Sequence, residues 1–536
     1  MPLYVGLDSS TQSLSAIVIE ASDSRREVVW ETSLNFDEAL PRYGTRHGVL
    51  PRPDPTVAVS SPVMWAEALE MMLTRVVQSV PGMRRLAAIA GSAQQHGSVY
   101  LNRDSGARLE SLSPAKTLAS QVPAMLARPV SPIWMDSSTT AECREIAEAV
   151  GGDAALAAHT GSRAFERFTG PQIRKLAKQE RAGYLATGRV HLVSSYLASL
   201  LAGRHAPVDP GDGSGMNLMD LATSTWWAPA VEATAPDLAV RLPSIAPSST
   251  VIGPLAPFWQ TRTGLREARV VAWSGDNPCS LIGTGLVREG RVAISLGTSD
   301  TIFGLMRQPR VDPTGTGHVF GSPTGDFMSL TVFKNGSLAR ERIRDQHRLD
   351  WPGFSALLND TPAGNRGRLM LPWFEPEITP AVLKPGERWY GLSPADPAAC
   401  VRAIIEAQMM SMALHARWMK VEVDTIYATG GAAANRDILQ VMADVFGARV
   451  YQLEVGNSAA LGAALRAFHA DMLADGRDLP WDDVIAEFVE PVEGSCVEPN
   501  SEHHALYARL IDAYAACEAH ALGTGPDPTP LLASFR

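Results

Sequence analysis

Two distant segments of the chain repeat one pattern, and that repeat limits the architecture more than any other feature. Leu3 to Leu7 is an apolar strand candidate, Asp8 to Ser13 a polar turn, and Leu14 to Ala21 a second strand running back. Far downstream, Val292 to Leu296 leads into Gly297-Thr298-Ser299-Asp300 and out along Thr301 to Met306. Each hairpin opens a long stretch of mixed strand and helix patterns. The chain of 536 residues is also longer than one hydrophobic core usually supports. Two related α/β units are therefore expected, one over residues 1–287 and one over 288–480, with residues 481–536 as a C-terminal extension.

Composition narrows the partners. Hydrophobic residues make up 45% and charged residues 19%, enough apolar side chain for packed cores. A net charge of -10 without any dense Lys/Arg block argues against nucleic acid and for a small-molecule ligand. The five cysteines are scattered and form no CxxC pair, so they read as ordinary thiols of a reducing compartment. No apolar run is long enough to span a bilayer, and the first residues reach Asp8 without a basic leader, so a soluble, cytoplasmic protein without membrane attachment is expected.

Polar groups gather where strands end, the place at which open α/β sheets hold ligands. Leu86 to Ala90 feeds the loop Gly91 to Gly97; Pro132 to Met135 reads as a short strand ending at Asp136. Val270 to Trp273 stops at Ser274-Gly275-Asp276-Asn277-Pro278, with a helix expected from the proline. Pro207 to Gly215 and Pro309 to Gly325 read as loops, and Asp212 as a loop or cap residue. The strand from Ile426 runs into Gly430-Gly431 and Asn435 before a helix through Phe446, a device by which a flat ring approaches backbone closely. Hydroxyls and backbone N–H groups at tight turns are good phosphate ligands, and two opposed turns grip a polyphosphate from both sides. Asp8 would then face Mg²⁺. Either turn alone is equally an ordinary polar hairpin tip, and Asp276 before Asn277-Pro278 is equally a helix cap.

Taken in order, Gly6-Leu7-Asp8 to Thr11-Gln12, Gln94-Gln95-His96-Gly97, Trp134-Met135-Asp136, Gly275-Asp276-Asn277, Ser295 to Ser299 and Thr429-Gly430-Gly431 resemble the FGGY carbohydrate kinases. Gly161 to Gly170, Asp212 to Asn217 and Phe333 to Ser337 are similar to the eukaryotic, xylulose-phosphorylating branch of that family. The resemblance implies two ribonuclease-H-like, actin-like domains around a central cleft, with ATP and Mg²⁺ as cosubstrate and metal. It implies Asp276 as catalytic base, and His96, Arg167, Asp276 and Asn277 around D-xylulose. It further implies Thr11, Gln12, Thr298, Ser299, Trp351, Gly430, Gly431 and Asn435 around ATP, and Asp8 at the metal. A kinase for another ketose, such as D-ribulose or L-xylulose, and a nucleotide-dependent sugar sensor that binds without phosphorylating remain alternatives. The oligomeric state, homodimer or monomer, stays open.

Overall fold

The structure, a computed structural model, describes residues 1–22, 25–454 and 456–535. Its two hairpins sit at corresponding places in two similar sheets. The first sheet contains β1 (Leu3–Ser9), β2 (Ser13–Ala21), β3 (Arg26–Asn35), β4 (Leu86–Ala93), β5 (Val251–Pro254) and β6 (Arg269–Val271), in the order β5-β6-β4-β1-β2-β3. The second contains β7 (Arg291–Leu296), β8 (Asp300–Met306), β9 (His318–Gly321), β10 (Phe327–Phe333), β11 (Thr425–Thr429) and β12 (Arg449–Gln452), in the order β9-β10-β8-β7-β11-β12. In each, an antiparallel meander is followed by two parallel neighbours: β3-β2-β1 then β4 and β6, and β10-β8-β7 then β11 and β12. This shared order is the architectural repeat announced by the hairpins.

Apolar helices cover the sheets. Ser61 caps the helix Pro62–Ser79, its Oγ accepting from the Met64 N–H at 3.3 Å, and the helix buries Trp65, Leu69, Leu73 and Val76 against the first sheet. The helix Pro397–Ala416 does the same for the second sheet, joined there by Tyr507 and Leu510 of the helix Ser501–Ala521.

One helix crosses between the halves. Ser458–Ala474 follows β12 in sequence but packs Ala460, Ala464 and Phe468 with Tyr4, Ala88 and Val271 of the first sheet. It also runs tightly along the helix Asp276–Gly283. A Cβ on Gly462 would stand 1.9 Å from the Cys279 carbonyl, and one on Gly283 1.9 Å from that of Ser458, so only glycine allows this approach. Arg466 on the same helix is buried, yet it donates to the carbonyls of Gly91, Ser248 and Ala272 at 3.1, 2.9 and 2.7 Å.

Several local expectations change. Trp134 and Met135 form a turn rather than a strand, closed by the Asp136 N–H donating to the Ile133 carbonyl. The helix expected at Pro278 begins at Asp276. Pro207 to Gly215 contains a helical turn, Pro210–Gly213, because the Asp209 carboxylate caps it through the Asp212 N–H. Asp212 itself is wholly buried, accepting from the Ser194 hydroxyl, rather than a surface cap. The segment Pro309 to Gly325 includes β9, which pairs with β10 at the sheet edge.

Candidate active site

Three loops at strand ends of the first sheet bring carboxylates and amides together. In β1, Asp8 lies opposite Ser92 of β4, and the Ser92 hydroxyl donates to its carboxylate at 2.5 Å. Asp276 opens the helix that follows the first sheet's last strands. Its Oδ1 accepts from the Asn277 N–H at 2.8 Å and from Asn277 Nδ2 at 3.1 Å. The Asn277 amide also donates to Gln95 Oε1 at 2.8 Å, while Gln95 Nε2 reaches the Gly211 carbonyl at 3.3 Å. These contacts fix Asp276 from two sides.

Electrostatics then tune it. Burial, followed by the negative charge of Asp8, pushes the Asp276 carboxyl up to about 7, against the pull of backbone N–H donors from Asn277 and Gln95. Asp8 is also raised, by burial, with the Ser92 hydroxyl opposing. Both remain partly open to solvent. A carboxyl titrating near neutrality in a cleft is suited to take up a proton during reaction.

His96, next to Gln95 in the chain, and Arg167 form a second cluster. His96 adopts a left-handed backbone, φ 71°, and its Nδ1 lies 2.7 Å from the Gly215 carbonyl. A carbonyl only accepts, so Nδ1 carries the proton and Nε2 keeps a lone pair for a hydroxyl donor. Burial and the Arg167 charge lower the His96 pKa to about 3, so the ring stays neutral. Arg167 stacks over Phe165 and Phe168, 4.9 and 5.5 Å from their centroids.

A cavity of about 710 Å³ opens on the second sheet, lined among others by Thr298, Arg340, Trp351, Ser355, Gly431 and Asn435. Asn435 caps the helix Arg436–Phe446, its Oδ1 accepting from Asp437 and Ile438 N–H groups. Gly430, at φ 85°, lets the turn pass the Leu296 carbonyl, which a Cβ would meet at 2.6 Å; a Cβ on Gly431 would meet nothing within 4 Å. Gly430 therefore shapes the turn, while Gly431 leaves an open floor. Trp351, 40% exposed at the start of its helix, has Arg344 over its ring at 4.6 Å and lines the cavity.

The structure groups Asp8, Asp276 and Asn277, sets His96 beside Arg167, and places Thr298, Trp351, Gly431 and Asn435 around one cavity. Ser299 and Gly430 are not among that cavity's lining residues, nor are Thr11 and Gln12. Thr11 accepts from Trp134 Nε1 at 2.8 Å, and Gln12 is exposed. Sequence reading assigned no role to Gln95, Trp134, Arg340 or Ser355. Gln95 and Trp134 stand inside motifs that carried the resemblance, whereas Arg340 meets Asp300 across forty residues of chain without any local signal.

Among the described residues, no three or more His, Cys, Asp or Glu side chains converge as a metal-holding group. Asp8, half-open beside the charge of Asp276, suits Mg²⁺, which binds through one or two carboxylates plus phosphate and water oxygens. No helix among them is long and apolar enough to cross a membrane.

Residues 126–283 match the N-terminal domain model, and residues 292–470 the C-terminal domain model, of the FGGY family of carbohydrate kinases. The chain is 40% identical to a Mus musculus xylulose kinase, covering 98% of this chain and 95% of the relative. It is 42% identical to xylulose kinase 2 of Arabidopsis thaliana, with 87% of each covered. In fold it resembles xylulose kinase from Rhodospirillum rubrum, TM-score 0.79 at 23% identity over 97% of this chain and 99% of that one. A Plasmodium falciparum glycerol kinase with ADP gives 0.73 at 14% identity, over 96% and 98%.

Proposed function

Because the chain belongs to the FGGY family of carbohydrate kinases, with the two-domain actin-like fold of its structural neighbours, we propose that it phosphorylates D-xylulose at the terminal 5-hydroxyl with ATP. The observation that carries the chemistry is Asp276, a partly open carboxyl raised to about 7 and held by backbone and side-chain amides. An alcohol is a poor nucleophile at neutral pH. In the proposed step its oxygen attacks the γ-phosphorus, its proton passes to the Asp276 carboxylate, and ADP departs. Asn277 and Gln95 keep the carboxylate oriented; His96 Nε2 and Arg167 offer an acceptor and donors to the remaining hydroxyls and carbonyl. A site built on such bonds rejects isomers that leave a buried polar group unpaired.

The second sheet's cavity takes the nucleotide in this reading. Trp351 covers a face of adenine, Gly431 admits the ring against backbone, and Thr298 and Ser299 in the turn donate to phosphate oxygens. Thr11 and Gln12 face the phosphates from the first turn, and Gly430 and Asn435 hold the adenosine-side turn in shape. Mg²⁺, when bound, supplies neutralisation of phosphate charge, and Asp8 is the carboxylate this chain would offer it. We divide the chain accordingly into a sugar-side unit, 1–287, a nucleotide-side unit, 288–480, and an extension, 481–536.

The choice of D-xylulose rests on the relatives that bear the name xylulose kinase. A coupled assay of ATP consumption across ketoses, aldoses and polyols, with and without Mg²⁺, tests it. The highest kcat/KM is expected for D-xylulose, with strict Mg²⁺ dependence. A preference for ribulose or a polyol would discard the named sugar and keep the kinase; no sugar-dependent consumption would leave a binding protein.

A further inference from the structure

The β9 strand belongs to the second sheet yet touches the sugar side of the first unit along its length. The Val319 N–H donates to the Gly161 carbonyl at 3.0 Å, and the Gly321 N–H donates to Ser214 Oγ at 3.0 Å. Gly161 has φ +83°, and a Cβ there would stand 2.3 Å from the Val319 carbonyl, so the approach requires glycine. Just before these contacts, at the start of the strand, His318, buried among Phe165, Phe168 and Phe320, points its ring at Arg167. Arg167 NH2 lies 3.0 Å from His318 Nε2, and Ser162 Oγ lies 3.0 Å from His318 Nδ1.

Arginine has only donors, so Nε2 must hold the lone pair and Nδ1 the proton, which it gives to the Ser162 hydroxyl oxygen. The Ser162 backbone is fixed in turn: Asn217 Nδ2 donates to its carbonyl at 2.9 Å. No carboxylate pairs with Arg167 within ion-pair distance among the described residues, and His318 is the neutral acceptor that orients it without cancelling its charge. Burial and the neighbouring Arg167 hold the His318 imidazole well below its ordinary range, consistent with a permanent acceptor.

We propose that His318, supplied by the second sheet, is the positioning residue that aims the Arg167 guanidinium at the sugar. Orientation of the sugar then depends on a residue from the nucleotide-side unit, so sugar recognition is complete only when β9 lies against Gly161 and Ser162. This rests on the assignment of Arg167 to the sugar, and the test separates the two.

The experiment compares His318→Phe, His318→Gln and Arg167→Ala by steady-state kinetics in D-xylulose and in ATP, with melting temperature as a control. His318→Phe keeps the ring contacts but removes both nitrogens. It should raise KM for D-xylulose about 10- to 100-fold, the range for losing a hydrogen bond to a charged group. KM for ATP and the melting temperature should stay near those of the parent. His318→Gln places an amide oxygen near the Nε2 position and should restore KM for D-xylulose to within about threefold. If His318→Phe is recovered unfolded, His318→Asn serves in its place, because the shorter amide reaches Ser162 but not Arg167. An unchanged KM for D-xylulose in His318→Phe, beside a raised one in Arg167→Ala, overturns the role of His318 and keeps the sugar site. Equal defects in His318→Phe and His318→Gln also overturn it, since packing alone would then account for both. An unchanged KM in Arg167→Ala removes the sugar-side assignment and the proposal with it.

Discussion

The two hairpin turns differ in what they do with their aspartate. In the first, Asp8 lies one residue before the end of the incoming strand, is partly open, and has one hydroxyl donor and a second carboxylate nearby. In the second, Asp300 begins the outgoing strand, is buried, and pairs with Arg340, itself buried, at 2.7 and 3.1 Å. Arg340 also reaches Gln408, whose amide donates to the Asn335 and Gly336 carbonyls at 2.8 and 3.0 Å. The first carboxyl has a hydroxyl donor and no cationic partner among the described residues, whereas the second is tied to an arginine that braces the loop. The same supersecondary unit therefore leaves its aspartate half-open in one sheet and ties it into the bracing of its own loop in the other.

That contrast breaks most visibly in stability. Arg340→Met leaves Asp300 buried and unpaired, and should cost about 3–5 kcal/mol in urea unfolding, the usual penalty for breaking a buried pair. Asp8→Asn, by contrast, relieves a carboxylate that burial already disfavours, so stability should not fall. Turnover separates them in the opposite direction: Asp8→Asn should lose about 10²- to 10³-fold in kcat, the scale of removing one group that stabilises transferring charge. Comparable unfolding midpoints for the two variants would show that the turns are equivalent after all. A smaller effect is expected at the cavity, where Trp351→Ala should raise KM for ATP about tenfold, within the 1–3 kcal/mol typical of base stacking, and leave KM for sugar alone.

The smallest and sharpest effect is on pH. A general base works deprotonated, and Asp276, proposed for that role, is raised to about 7, so kcat/KM for sugar should fall as pH drops through that region. Asp8 supplies part of that rise by repulsion, so in Asp8→Asn the acid limb of the residual activity should move to lower pH. An acid limb that stays in place would mean that the two carboxylates are not coupled.

The hairpins were legible because strand period and turn chemistry are local, and so was the turn at Gly430, whose positive φ needs glycine. Most of the cluster around Asp276 was also legible, through motifs in a fixed order. Contacts set by packing were not. Asp212 looks like a cap in a Gly-rich stretch and turns out buried, because Asp209 takes the capping role. Trp134 looks like a strand residue and instead hydrogen-bonds Thr11 from a turn. His318 lies in a segment whose Pro, Gly and Asp content reads as loop, and its partner Arg167 is 151 residues away. Nothing in local composition pairs them.

Whether Asp276 accepts the proton of the sugar hydroxyl is decided by the variant Asp276→Asn. The amide keeps the shape and can still bond its neighbours, but cannot take the proton. Sugar-dependent ATP consumption should fall about 10²- to 10⁴-fold while calorimetric binding of D-xylulose persists. Turnover within a few fold of the parent, in a variant shown to be folded, would contradict the claim.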